Sequence, residues 1–262
     1  MATDKMIAEK ADGLGWIIFN NPERHNAVSL DMWQAAIEII DDFVRDDAVR
    51  VIVVKGAGEK SFISGADISK FGDERAEAAA VERYNQATET AYSNLMDAPK
   101  PTIAMIQGYC IGGGANLAIC CDLRICSENA RFAIPAAKLG LGYDYPRVRR
   151  LVNLIGPSFA SEIFFTARQF TAAEALTMGL VNRVLPFAEL ESTVTDYAKT
   201  IAGNAPLTIK AIKRIVREVL KDESQRDLAL CDRLVRDCFE SEDYAEGRLA
   251  FKEKRKPAFK GR

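Results

Sequence analysis

The sequence predicts an α/β fold, a parallel sheet wound with helices, followed by a C-terminal region built from helices alone. Three observations carry this reading. Val49-Arg50-Val51-Ile52-Val53-Val54 is rich in β-branched residues, the pattern of a strand buried on both faces of a parallel sheet. Helix-like stretches alternate with strand-like ones on either side of it, and a strand–helix–strand order implies crossover units. Beyond Leu190 the strand patterns cease. The chain has 262 residues, 48% of them hydrophobic, enough for one large domain or a domain with an appendage.

Taken in order, Leu14-Gly15-Trp16-Ile17-Ile18-Phe19-Asn20 reads as a strand that ends in the turn Asn21-Pro22-Glu23-Arg24. Ser29 is placed to cap the helix that follows. In it Trp33, Ala36, Ile37, Ile40, Phe43 and Val44 recur at three and four, with Asp31, Glu38, Asp41 and Asp42 largely off that stripe. Residues 71–80 are rich in Asp, Glu, Arg and Ala without apolar period, so a mobile or loosely docked segment is expected there. The helix over 81–96 stops at Asp97-Ala98-Pro99-Lys100-Pro101, a firm breaker. Leu123-Arg124-Ile125-Cys126 and Arg131-Phe132-Ala133-Ile134 are two further short strands. Thr171-Ala172-Ala173-Glu174 is a capping box, and Gly179 ends the short helix it opens. Helices over the rest are broken at Gly203-Asn204-Ala205-Pro206 and near Asp222. Ile209, Ile212, Ile215, Val216, Val219 and Leu220 form an apolar stripe that suits an oligomer interface and intrachain packing equally well.

Composition removes several function classes. With 35 basic and 37 acidic residues the net charge is −2, which gives no electrostatic reason to expect nucleic acid or an anionic membrane as partner. No apolar run approaches the roughly 20 residues of a membrane span, and the N-terminus lacks a charged-then-apolar leader, so a soluble cytoplasmic protein is expected. Cys110, Cys120, Cys121, Cys126, Cys231 and Cys238 form no Cys-x-x-Cys pair and are expected to be buried reduced thiols. A zinc site or a histidine-activated nucleophile would have to pass through His25, the only histidine, which sits in a loop beside Pro22. No metal is expected.

The chemistry-bearing stretch is Gln107-Gly108-Tyr109-Cys110-Ile111-Gly112-Gly113-Gly114-Ala115-Asn116-Leu117-Ala118-Ile119-Cys120-Cys121-Asp122. Upstream lies the apolar strand Pro101-Thr102-Ile103-Ala104-Met105-Ile106, and downstream a short buried helix begins. Glycines at this junction present backbone amides at a helix N-terminus with no side chain in the way, a setting that stabilises negative charge. A tight turn that needs glycine for geometry alone reads the same residues equally well. A second small-residue turn, Ser64-Gly65-Ala66-Asp67-Ile68, follows the Val49–Val54 strand and could also present N–H groups.

These two turns, in order with Asn20-Asn21-Pro22 to Asn26-Ala27, Ala130-Arg131-Phe132 and Phe170-Thr171-Ala172-Ala173-Glu174-Ala175-Leu176 to Gly179-Leu180-Val181-Asn182, resemble the crotonase (enoyl-CoA hydratase/isomerase) family over nearly the whole chain. The resemblance implies a spiral of ββα units over residues 1–195 and a helical region over 196–262 that roofs the active site and packs against other subunits in a homotrimer or a dimer of trimers. It also implies an acyl-CoA thioester as substrate, with no cofactor beyond coenzyme A itself. The thioester oxygen would become an enolate held by the amides of Ala66 and Gly113. Coenzyme A contacts would fall at Ala27, Ser64, Ala66, Asp67 and Ile68, with Phe251 and Lys254 from the basic tail; a solvated terminus is the plainer reading of that tail.

Hydratases of the family carry two glutamates that position water and shuttle its proton. Their positions here are Asn116 and Ala136, neither of which can act as a base near neutral pH. The nearest titratable groups are Tyr143, Asp144 and Tyr145, where hydratases usually have glycines and a proline. A tyrosine after Leu-Gly resembles methylmalonyl-CoA decarboxylase, an aspartate here resembles dienoyl-CoA isomerase and naphthoate synthase, and simple turn-shaping before Arg147 is a third account. The catalytic set expected is therefore Ala66, Gly113, Asn116, Tyr143 and Asp144, with decarboxylase- or isomerase-type chemistry ahead of ordinary hydration. A non-catalytic acyl-CoA binder of the same fold is the alternative from a different class, and an RNA-binding relative is disfavoured by the acidity.

Overall fold

The computed structural model describes residues 3–67 and 77–262. Six strands form the main sheet in the order β1 (Met6–Ala11), β2 (Leu14–Phe19), β3 (Val51–Gly56), β5 (Thr102–Ile106), β7 (Leu123–Ser127), β10 (Arg183–Leu185). β1 is antiparallel to β2, and every other pairing is parallel. A second sheet joins β4 (Ser61–Ile63), β6 (Tyr109–Ile111), β8 (Arg131–Ala133) and β9 (Phe170–Thr171). Consecutive strands thus alternate between sheets: β3 with β4, β5 with β6, β7 with β8. The helices α2 (Ala78–Asp97), α3 (Gly113–Cys120) and α4 (Tyr145–Thr166) follow these pairs in turn, which makes the spiral of ββα units.

Burial explains the strand composition. Ile52, Val54, Ala104 and Ile106 face one core, shared with α1 (Leu30–Arg45) and the second sheet. Val51, Val53, Ile103 and Met105 face a second, smaller core closed by Leu190, Val194 and Ala198 of α6 (Leu190–Ala202). Strands covered on both sides gain from apolar residues at every position. The expected division at residue 195 falls inside α6, so the packed core runs on to Ala202. Ser29 does occupy the N-cap of α1, but its hydroxyl donates to the Asp31 carboxylate and caps no backbone amide. The capping box of α5 (Ala172–Thr177) is present, with the Glu174 amide donating to Thr171 Oγ1 at 3.2 Å and the Thr171 amide to Glu174 Oε2 at 2.7 Å. Of the segment 71–80, residues 71–76 lie outside the described part and α2 opens at Ala78.

β4 and β6 come together where glycine lets backbones touch. Gly108 has φ +55°, and a Cβ there would overlap the Lys60 carbonyl. Because that neighbour is main chain, it has no rotamer through which to yield. Gly108→Ala is expected to cost about 3 kcal/mol through strain and overlap together. A urea midpoint unchanged from the parent would show that the strand junction can shift.

The C-terminal layer comprises α7 (Pro206–Val219), α8 (Leu228–Glu240) and α9 (Glu242–Glu253). Intrachain packing covers only part of the α7 stripe, leaving Ile212, Val216, Val219 and Leu220 exposed. A groove of about 760 Å³ opens here, lined by Ala211, Ile212, Ile215, Val235, Phe239 and Phe251 among others. No helix among the described residues is long and apolar enough to cross a membrane.

Candidate active site

The loop before α1 is held by its asparagines. Asn26, at φ +55°, donates from Nδ2 to the carbonyls of Ala57 (2.9 Å) and Ser61 (2.8 Å), and its Oδ1 accepts from the Asn21 amide at 2.9 Å. Asn21 Nδ2 in turn donates to the Ala27 carbonyl at 2.9 Å. This fixes Val28, which pairs with the turn after β4. The Val28 amide donates to Gly65 O (2.9 Å) and Val28 O accepts from the Asp67 amide (3.0 Å). In a parallel pairing of that pattern, the intervening Ala66 points its N–H away from the partner.

Across from it, β6 runs into α3 through Gly112, at φ 54° and ψ −111°, a conformation open to glycine alone. Gly113 is the first helical residue, so its amide is one of the orphan donors of the helix. Its carbonyl accepts from the Tyr92 hydroxyl at 2.9 Å. A Cβ on Gly114 would overlap Ile63 O, and one on Gly113 would stand 4.0 Å from Gly65 Cα. The two turns therefore abut, each contributing one amide without a hydrogen-bond partner among the described residues.

One turn further along α3 lies Asn116. Its Nδ2 donates to Gly112 O at 2.9 Å and to Tyr143 Oη at 2.6 Å, which commits both amide protons. Tyr143 is the acceptor in that bond, so its own hydrogen remains for a third group. Burial pushes the Tyr143 hydroxyl above its usual value, while the Asn116 bond and Arg147 pull the other way. Its ring stands edge-on to Phe164 at 5.0 Å. Ala136 is buried and adds only a methyl group.

Asp144 is placed differently. Its carboxylate caps α4 by accepting from the Arg147 amide at 3.0 Å, and its second oxygen pairs with Arg147 Nη1 at 3.1 Å. The side chain is 46% exposed and makes no hydrogen bond to Asn116 or Tyr143.

The sequence matches a known family along almost the whole chain: the enoyl-CoA hydratase/isomerase model matches residues 9–262. The chain belongs to this family. It is 34% identical over 265 residues to the short-chain-enoyl-CoA hydratase of Clostridium acetobutylicum, covering 100% of each. It is 36% identical over 250 residues to the carnitinyl-CoA dehydratase of Proteus mirabilis, covering 94% of each. Among solved structures, an enoyl-CoA hydratase/carnithine racemase from Magnetospirillum magneticum superposes with a TM-score of 0.94 at 34% identity, over 99% of this chain and 97% of the other. The fold is thus the crotonase fold, as the motifs implied.

Other residues flagged from the motifs of the crotonase family divide into two groups. Ala27, Ser64 and Asp67 lie together beside Ala66: the Ser64 amide donates to His25 O at 3.1 Å, and Asp67 is buried 3.3 Å from Arg24 Nη1. Ile68 lies outside the described residues. Phe251 is 88% exposed on the C-terminal groove, whose lining includes none of Ala27, Ser64, Ala66 and Asp67, and Lys254 ends α9 at φ 54°. His25 is exposed, with Nδ1 3.2 Å from Ser61 Oγ and its ring edge-on to Tyr109. The four buried cysteines are unsuited to nucleophilic work, since burial drives the Cys120 and Cys126 thiols up to about 12 and Cys110 and Cys121 upward as well.

Tyr92 was not flagged from sequence, nor was the ionic cluster behind Tyr143. Arg150 is bound to Glu89, and Arg147 Nε stands 3.9 Å from the same carboxylate. The available signal was the buried face of α2, where Tyr84, Thr88, Ala91, Tyr92 and Leu95 recur at three and four.

Proposed function

We propose that the protein binds an acyl-CoA thioester with its carbonyl oxygen between the amides of Ala66 and Gly113, and forms an enolate there by decarboxylating a malonyl-type acyl group. Family membership supports the acyl-CoA substrate. The observation that carries the reaction type is the Asn116–Tyr143 hydrogen bond. It leaves a neutral hydroxyl with a free hydrogen beside Asn116, one turn along the helix that Gly113 opens. Hydration and proton-transfer isomerisation both begin with a group that removes a proton; among the described residues, Asp144 is spent on Arg147 and the α4 cap, and Glu89 is bound by Arg150.

Decarboxylation needs no base. The bond between the α-carbon and the carboxylate carbon breaks, its electron pair moves into the thioester as an enolate, and carbon dioxide leaves. Two amides aimed at the oxygen stabilise the charge as it develops. Tyr143 then gives its proton to the α-carbon, with Asn116 donating to the tyrosinate formed, and solvent restores the hydroxyl.

The test is a panel of thioesters. Carbon dioxide release from methylmalonyl-CoA is expected, with hydration of crotonyl-CoA slower by about 10² or more for want of a proton-transfer group. Crotonyl-CoA hydration faster than carbon dioxide release would overturn the reading in favour of the activity that the relatives' names carry. Tight binding of every thioester with turnover of none would leave a binding protein of this fold.

A further inference from the structure

Arg147 has donors on one edge of its guanidinium that no protein group among the described residues satisfies. Its guanidinium is mostly enclosed, with the side chain 17% exposed, and lies 5.9 Å from the Tyr92 ring. Tyr92 holds the Gly113 carbonyl, and the positive charge of Arg147 acts on both Tyr92 and Tyr143, so the cation neighbours the candidate active site. Among the described residues only Nη1 has a close partner, Asp144 at 3.1 Å. Nε is buried without a hydrogen bond, because its 3.9 Å separation from Glu89 is too long for one. Nη2 has no hydrogen bond either among the described residues.

Glu89 cannot easily turn to close this gap, since both of its oxygens are engaged by Arg150. The cluster is balanced in charge, two arginines against Glu89 and Asp144, so Arg147 is not held by excess negative charge. An orphaned buried donor costs free energy in the empty protein, and Nε with Nη2 is the pair of donors that grips a carboxylate with two parallel bonds.

We propose that the Nε/Nη2 edge of Arg147 receives a carboxylate carried on the acyl group, making Arg147 the residue that selects carboxylated acyl-CoA thioesters over plain ones. This rests on the reading of the site as an acyl-CoA pocket and specifies its substrate class. Arginine paired to the carboxylate that departs stabilises the ground state, so its contribution lies in binding and selection and not in breaking the bond.

Equilibrium binding separates this from turnover. Succinyl-CoA and butyryl-CoA have acyl chains of equal length and differ by the terminal carboxylate. The parent protein is expected to bind succinyl-CoA about 10- to 100-fold more tightly, and Arg147→Met to lose that preference while still binding butyryl-CoA. Arg147→Lys keeps the charge without the fork and is expected to fall between them. Kinetically, Arg147→Met raises KM for methylmalonyl-CoA more than it lowers kcat. Equal affinity of the parent for the two thioesters, or a preference that survives in Arg147→Met with butyryl-CoA binding intact, overturns the assignment. If Arg147→Met does not fold, by thermal unfolding, Arg147→Lys and the parent's own preference decide. A parent that prefers succinyl-CoA yet releases no carbon dioxide from methylmalonyl-CoA keeps this assignment and removes the decarboxylation.

Discussion

Gly113→Pro is expected to lower kcat by about 10²- to 10³-fold while the chain keeps its fold and its affinity for coenzyme A. The position makes the substitution unusually clean. Gly113 is the first residue of α3, where proline's fixed φ suits the helix and its missing N–H breaks no helical bond. A Cβ there meets Tyr92 Oη at 3.4 Å and Trp33 at 3.8 Å, contacts that a few tenths of an ångström relieve. What proline removes is the donor aimed at the developing enolate, and its ring intrudes where the thioester oxygen would sit. Gly113→Ala, which keeps the amide, is the control and should retain most activity. Circular dichroism and thermal unfolding check the fold in both. Undiminished kcat in the proline variant would mean that the enolate is held elsewhere.

Much of the fold was legible because its strands are covered on both faces. β2, β3, β5 and β7 read as apolar runs for that reason, and the helix breaks at Pro99 and Pro206 follow from what proline cannot donate. The strands of the second sheet were harder. β4 and β6 have three residues each, too few to show a period, and their pairing depends on the close approach at Gly108. α4 escaped the reading because Gly156, at φ 77°, and Pro157 interrupt its pattern. α6 was divided at residue 195 because sequence does not reveal that Leu190, Val194 and Ala198 cover the far face of the sheet.

The site divides the same way. The Gly-rich junction and the Ser64–Asp67 turn announce themselves locally, since glycine next to a strand end and a helix start has few purposes. Asn116 was named from its place after the glycines and Tyr143 as a titratable residue of a later loop, but their 2.6 Å contact is tertiary. Asp144 looked equally chemical in sequence. Its place one residue before α4 decides its use, because a carboxylate at an N-cap satisfies the third amide of the helix, here that of Arg147. Tyr92 and Arg147 come from separate helices, and nothing local to either predicts their meeting.

Tyr143→Phe is expected to leave the fold intact and lower the rate of product formation by about 10²-fold, the lower end of what a proton-transfer group contributes. Phenylalanine keeps the edge-on contact with Phe164, and the loss to Asn116 of one neutral hydrogen bond costs about 1 kcal/mol. Without the hydroxyl, the enolate waits for a proton from water and partitions back toward carbon dioxide capture. A stereochemical readout separates a proton donor from a merely structural ring. In deuterium oxide the parent should deliver deuterium to one face of the methylmalonyl-derived α-carbon, giving propionyl-CoA labelled at a single prochiral position, whereas Tyr143→Phe should label both. The pH profile follows from the direction of the shift. Burial raises the Tyr143 hydroxyl above its ordinary value, so the donor keeps its proton through neutrality, and activity falls only at alkaline pH beyond the range where an ordinary tyrosine ionises. An acidic limb near neutrality would instead reveal a base in the rate-limiting step. Single-face labelling at the parent's rate in Tyr143→Phe would remove Tyr143 from the chemistry and leave it as packing for Asn116.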